Sequence, residues 1–209
     1  MKPGRYDFVI DQRTSWGKTF YFGNPSIGPT LTPSLNPLAS IVVDGLGKTF
    51  TRNDGGSWLV DGFAIGNYLV CGGFQNDVNN GSHLTTTATD LVMTCAGDTM
   101  VSETASPGIT GQSIMVLKAL DFTGATGASM IRQQYNSPTP AATITVAFPT
   151  PANGGIALSL TNIQTAAITA GPTVCSSASQ YVWDLIVTQS ALVIRYLQGK
   201  VSIDPGATY

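Results

Sequence analysis

A chain of 209 residues has room for one large domain or two small ones, and its charged fraction of 11% is far below the roughly 25% usual in soluble domains. Ten scattered basic residues and a formal net charge of −2 exclude the Lys/Arg stripe that nucleic acid requires, and no apolar run approaches the roughly 20 residues that cross a bilayer. The hydrophobic fraction of 43% is accompanied by abundant Gly, Pro, Ser, Thr and Asn, which is the composition of an all-β protein whose surface is not kept soluble by charge. Much of that surface is therefore expected to be covered by other subunits.

In chain order, residues 5–10 (RYDFVI) place Tyr6, Phe8 and Ile10 on one face of a half-buried strand. The segment before and around them, MKPGRYDFVIDQ, has no apolar core of a signal peptide. Residues 16–22 (WGKTFYF) form a second strand. Residues 24–37 carry Pro25, Pro29, Pro33 and Pro37, a density that fits an extended linker and not a central strand. Strands at 41–43 and 49–52 follow, around a Gly45/Gly47 turn.

The stretch 57–82, SWLVDGFAIGNYLVCGGFQNDVNNGS, is the most self-contained of the chain. Gly62, Gly66, Gly72, Gly73 and Gly81 punctuate it, an Asp61-Gly62 turn precedes the apolar run 66–71, and Asn79-Asn80-Gly81 predicts a type I′ hairpin turn. Short strands are expected at 83–87 and 90–95, then at 99–103 and 113–118 either side of a Pro107/Gly108 turn. Beyond Gly124 and Gly127, strands at 128–134, 143–148 and 156–160 follow. Thr161-Asn162-Ile163-Gln164 fits a capping box for a short helix through residue 169, ended by Gly171-Pro172. Residues 181–188 and 192–197 form a hairpin around Gln189-Ser190, with a last strand at 200–203.

Chemistry-bearing motifs are sparse. Gly47-Lys48-Thr49 suggests a nucleotide loop, but Val42 stands where the first P-loop glycine is needed, and a strand follows instead of a helix. His83 is the only histidine, without a nucleophile motif, and is expected on a surface strand. Asp61, Asp77, Asp90, Asp98 and Glu103 lie near turns, where carboxylates commonly serve the backbone, and Asn76-Asp77 and Asn79-Asn80 lack calcium-loop spacing. The three cysteines, Cys71, Cys95 and Cys175, lack metal-ligand spacing and are all expected as buried small hydrophobes, with Cys71 and Cys95 facing each other across one module as the alternative. Asp184 and Arg132 suit a structural cross-strand pair. Trp16, Trp58 and Trp183 suit core packing, with Trp58 also a candidate interface anchor beside exposed turns.

The outer blocks YDFVIDQRTSW, LDFTGATGASMIRQQ, GGIALSLTNIQTAAITAG and YVWDLIVTQSALVIRYLQGKVSID resemble, over roughly half the chain, an Ig-like β-sandwich of tailed phages. That domain occurs at the N-terminus of upper baseplate proteins and in small virion proteins. The matching features are Asp121-Phe122-Thr123-Gly124, Arg132, Gln164-Thr165-Ala166, the strand 181–185, and Leu197, Gly199 and Val201 in the ending. The intervening stretch is similar to a small β-module common in phage tail proteins.

The resemblance implies an Ig-like sandwich of residues 1–37 and 118–209, with one short helix and an inserted β-module of residues 38–117. It implies a non-enzymatic virion structural protein, without cofactor, that binds sibling subunits and other virion proteins in the tail, baseplate or adaptor region as a homo-oligomer. No nucleic-acid or membrane partner is expected. Capsid decoration (a cement protein) and host-surface carbohydrate binding through exposed aromatics, Trp58, Phe63 and Phe74, are the alternatives. The expected interface residues are Trp58, Phe63, Tyr68 and Phe74.

Overall fold

Period-two alternation is the dominant local signal, and it is realised as strands throughout the computed structural model, which describes residues 3–32, 39–97, 99–107, 113–169 and 179–205. In chain order these are β1 (Gly4–Arg5), β2 (Phe8–Asp11), β3 (Trp16–Tyr21), β4 (Thr30–Leu31), β5 (Ile41–Asp44) and β6 (Thr49–Arg52). Next come β7 (Tyr68–Gly72), β8 (Gly81–Ala88), β9 (Val92–Cys95), β10 (Glu103–Ala105) and β11 (Ile114–Lys118). The last are β12 (Thr126–Arg132), β13 (Ala142–Ala147), β14 (Gly155–Leu160), helix α1 (Asn162–Ala167), β15 (Ser179–Gln189) and β16 (Leu192–Asp204). The fold is all-β, in two eight-stranded sheets.

By contact the chain divides into two units. One comprises Met1–Thr19, Thr123–Pro149 and Ile156–Tyr209; the other comprises Phe20–Phe122 and Thr150–Gly155. These boundaries differ from those expected at 37/38 and 117/118. The residues between are drawn into the second unit by backbone pairing: β4 pairs with β11, Lys118 N donates to Ile27 O at 3.0 Å, and Asn24 N donates to Lys118 O at 2.7 Å. The segment expected as a Pro-rich linker thus contributes a short strand, while its residues 33–38 lie outside the described residues, as do the Gly171-Pro172 helix stop and Cys175.

The first unit runs β1-β16-β15-β12-β13-β14-β3, with β2 also pairing β16. β13 changes partner half-way: Ala142 to Ile144 pair with β12, and Thr145 to Ala147 pair with β14. A strand that serves two sheets makes the corner of a sandwich. Its inward residues include Ile131, Ile144, Leu158, Trp183, Leu185 and Val201, all buried. Phe8 stacks on Trp16 with centroids 4.4 Å apart and meets Trp183 edge-on at 5.1 Å. The capping box forms as expected, Gln164 N donating to Thr161 Oγ1 at 3.2 Å and Thr161 N to Gln164 Oε1 at 2.8 Å, though α1 ends at Ala167.

The second unit repeats the device. Its order is β10-β5-β6-β9-β8-β7-β11-β4, and β8 pairs with β7 through Gly81 to Leu84 and with β9 through Thr85 to Ala88, with a bulge between Thr85 and Thr87. The bulge gives the extra twist that lets one strand turn the corner. Inward positions form one cluster that includes Ile41, Val43, Phe50, Leu69, Met93, Ile114 and Val116.

Two backbone constraints hold the β15–β16 ladder. The two-residue turn Ser190-Ala191 has φ of 48° and 65°, the type I′ geometry that Asn-Gly normally supplies. The turn is thus one residue later than expected, and it is built from residues that tolerate it poorly. In the middle of the ladder, opposite Trp183, Gly199 lies against the bend between β1 and β2; a Cβ there would sit 1.9 Å from Tyr6 O. Trp183 Nε1 donates to the same carbonyl at 2.8 Å, and Lys200 N donates to Asp7 Oδ1 at 2.8 Å. The glycine in the Leu197-Gly199-Val201 ending is therefore fixed by close approach.

Gly199→Ala should destabilise the protein by about 1–3 kcal/mol through overpacking against backbone, seen as a lower urea midpoint with unchanged slope. Ala191→Gly, by relieving a left-handed alanine, should raise stability by about 1 kcal/mol in the same assay. A stability no higher than wild type would show that the turn is not strained.

Candidate functional site

Alternation along β6 turns Phe50 and Arg52 toward the interior of the second unit. An inward arginine must bring counter-charges with it, because an unpaired buried cation is prohibitively costly. Arg52, with a side chain only 4% exposed, has them two and nine residues later. Its Nε and Nη2 donate to Asp54 Oδ1 and Oδ2, both at 2.7 Å, and its Nη1 donates to Asp61 Oδ2 at 2.6 Å. The guanidinium also lies 4.8 Å from the Trp58 ring centroid, a cation–π contact.

These bonds shift both partners. Hydrogen bonds from Arg52 hold the Asp54 carboxyl below its ordinary range against the opposing effect of burial. For Arg52, burial works against the charge, but the bonds from Asp54 and Asp61 outweigh it and raise the pKa further.

The same cluster shapes the loop 53–67. Trp58 Nε1 donates to Leu91 O at 3.0 Å and Trp58 N to Asp90 O at 2.9 Å, while Ser57 Oγ donates to Asp90 Oδ1 at 2.6 Å. Phe63 N donates to Trp58 O at 3.0 Å, closing a tight turn that contains Gly62 at φ 86°, and the Phe63 ring meets Trp58 edge-on at 5.3 Å. With Trp58 and Phe63 turned inward, Leu59, Val60, Ile65 and Leu91 are left exposed. The result is an apolar display on a loop fixed from beneath.

This corrects the expected interface residues. Trp58, Phe63 and Phe74 are buried in the core of the second unit, and Tyr68 on β7 is half-buried. Rings of this size are drawn into the interior because their area is worth most there, and Trp58 can enter because its N–H finds a carbonyl. The exposed large residues of this region are aliphatic. Sequence reading missed them, and missed Arg52, because a pattern of apolar and polar residues does not reveal which polar side chain turns inward.

The loop 73–80 also departs from expectation. Asp77–Asn79 form a 3-10 turn and Asn80 is extended at φ −87°, so Asn79-Asn80-Gly81 is not a type I′ turn. Instead the side chains hold the loop. Asn80 Oδ1 accepts from Phe74 N and its Nδ2 donates to Phe74 O, each at 3.0 Å. Buried Asn79 does the same with Val101, donating at 2.7 Å and accepting at 3.0 Å. Glu103 accepts from Gln75 N at 3.1 Å, from Asn76 N at 2.9 Å and from Asn76 Nδ2. His83, expected on the surface, is buried against Phe50 with centroids 5.4 Å apart and its Nε2 3.2 Å from Asn79 O.

The remaining candidates take structural places. Gly47-Lys48-Thr49 lies at the β5–β6 turn, with Lys48 at φ 53° and its carbonyl accepting from Cys95 N at 2.8 Å. Cys71 and Cys95 are buried members of the core cluster. Asp184 pairs with Arg195 at 3.2 Å, not with Arg132, whose Nη1 donates to Ser137 O at 2.6 Å and Pro138 O at 3.2 Å. Among the described residues, no group of three or more His, Cys, Asp or Glu is placed to hold a metal, and no helix is long and apolar enough to cross a membrane. No protein-family model matches the chain, and no curated protein matches it significantly.

Arg52→Ala would leave two carboxylates beside the core without their cation and should cost about 3–5 kcal/mol in urea unfolding. Asp54→Asn gives a pH test. Because the folded Asp54 carboxyl lies below its unfolded value of about 3.9, its contribution is complete above that value and is lost as pH falls through the folded one. The variant should therefore be less stable at neutral pH, with the deficit shrinking as the medium is acidified below about pH 4. A deficit that is constant with pH would assign the loss to packing instead of charge.

Proposed function

We propose that this protein is a non-enzymatic structural subunit of a phage particle, which binds copies of itself and other virion proteins, in the tail, baseplate or adaptor region. The observation that carries the reading is the aliphatic display on the second unit. Val60 and Ile65 are 84% and 72% exposed on the loop 53–67. The bonds from Trp58 to Asp90 and Leu91 set the turn bearing Leu59 and Val60 beside the β8–β9 turn that bears Leu91.

An apolar surface on a loop held by ion pairs is already ordered, so covering it gains burial at roughly 25 cal/mol per Å² with little further loss of entropy. The charged fraction of 11% supports the same reading, since such a chain has few charges with which to keep its surface apart from neighbours. The resemblance of the outer blocks to a phage baseplate sandwich supplies the choice of particle and of tail. Capsid decoration would use the same display and is separated by copy number. The carbohydrate-binding alternative loses its motive, because Trp58, Phe63 and Phe74, its stacking rings, are buried.

Val60→Asp combined with Ile65→Asp tests the display, since both positions are exposed and the fold should be unaffected within about 0.5 kcal/mol. The wild-type protein should self-associate or enter particles, in a manner that persists in high salt because screening acts on exposed charges. The double variant should remain monomeric and be left out. Mass spectrometry of purified particles then gives copy number: small multiples of three or six for a tail ring, hundreds for a capsid. A double variant incorporated as well as wild type would defeat the reading.

A further inference from the structure

The outer face of the first unit carries a groove that the structural-subunit reading does not use. Its volume is about 440 Å³, within the usual range of small-ligand sites, and it lies between the loop after β12 and the outward side chains of β12, β15 and β16. We propose that this groove is a binding site for a carboxylate carried on an apolar stem, with Arg132 as the principal cation.

The geometry follows from strand register. Met130 lies directly opposite Asp184, and Ala128 opposite Ile186, so these side chains share one face of the sheet. On β16 the register shifts between the partners of Leu185 and Ile186, leaving Tyr196 as the extra residue. That bulge brings Arg195 onto the same face as Asp184, where the two form their 3.2 Å ion pair. Without it the alternation of β16 would turn residue 195 inward.

Charge decides what fits. Arg195 and Asp184 neutralise one another, whereas no carboxylate among the described residues pairs with Arg132. Its guanidinium is instead held by the carbonyls of Ser137 and Pro138 and by Met130 Sδ, to which Nη2 donates at 3.0 Å. Carbonyls and a thioether orient the cation without cancelling it. The groove therefore has a net charge of +1 over a floor of Met130, Ile186 and Ala128. A planar carboxylate matches the guanidinium fork, and a short hydrocarbon stem covers the floor.

Hexanoate is the probe, followed by amide chemical shifts of the whole chain in solution, with hexanol and hexylammonium as the neutral and cationic counterparts. Hexanoate should give saturable shifts confined to β12, the loop after it, and the facing parts of β15 and β16. Hexanol should bind at least about tenfold more weakly, as expected when a charge-assisted hydrogen bond is lost. Hexylammonium should not bind. Ala128→Phe, at an exposed strand position, should fill the groove and abolish the shifts, and Arg132→Gln should weaken hexanoate to the level of hexanol. If Arg132→Gln disturbs the loop it holds, the comparison of the three probes on the wild-type chain decides alone. Equal affinity for hexanoate and hexanol, no saturable shift with hexanoate, or undiminished binding by Ala128→Phe would each overturn the proposal.

Discussion

One guanidinium turned toward a protein interior governs the second unit. Arg52 sits where the alternation of β6 demands an apolar residue, and this is tolerable only with two carboxylates and an aromatic face around it. Asp54 and Asp61 come from the chain that follows, so neutralising the charge also folds the loop back on the sheet. Gly56 is part of the arrangement: a Cβ there would fall 2.0 Å from Arg52 Nη2. Once the loop is pinned, Trp58 and Phe63 enter the core and their neighbours Leu59 and Val60 are turned out. The buried charge and the exposed aliphatic display are thus two sides of a single constraint.

The few ionisable and amide side chains of this chain are used largely to satisfy backbone groups. Glu103 holds the amides of Gln75 and Asn76, Asn79 and Asn80 each complete a two-bond link to a neighbouring segment, and Asp7 accepts from Lys200 N. Loops cannot meet these needs through a regular ladder, and a buried amide or carbonyl without a partner is expensive. Both units also solve the closure of their sheets alike, by a strand whose two halves pair differently. Two compact β units with stitched loops result, and a loop held in place by such bonds makes an exposed surface useful for binding.

The two proposed surfaces differ in kind. The display around Val60 and Ile65 is apolar and carried on an exposed loop, suited to another protein surface of similar character. The groove around Arg132 is concave and carries one uncompensated cation, suited to a small anionic group. They lie on separate units of the chain.

The sequence by itself determined the all-β class, most strand positions, the capping box at Thr161 and Gln164, and the pairing of β15 with β16. These depend on local alternation, on turn residues and on spacing within a few positions, which a linear pattern carries in full. It located the last turn only to within one residue, because Ser190-Ala191 is held in left-handed geometry by the ladder on either side and not by its own preference. Tertiary structure alone decided which aromatic rings are core, that His83 is buried, that Asn79-Asn80 links segments instead of turning, and that Asp184 answers Arg195. It also decided that residues 20–32 join the second unit, through strand pairing with residues far along the chain. The physical reason is common to all of these. Whether a polar or aromatic side chain faces inward depends on whether a partner waits there, and such partners come from other strands and loops, at separations that no local pattern records.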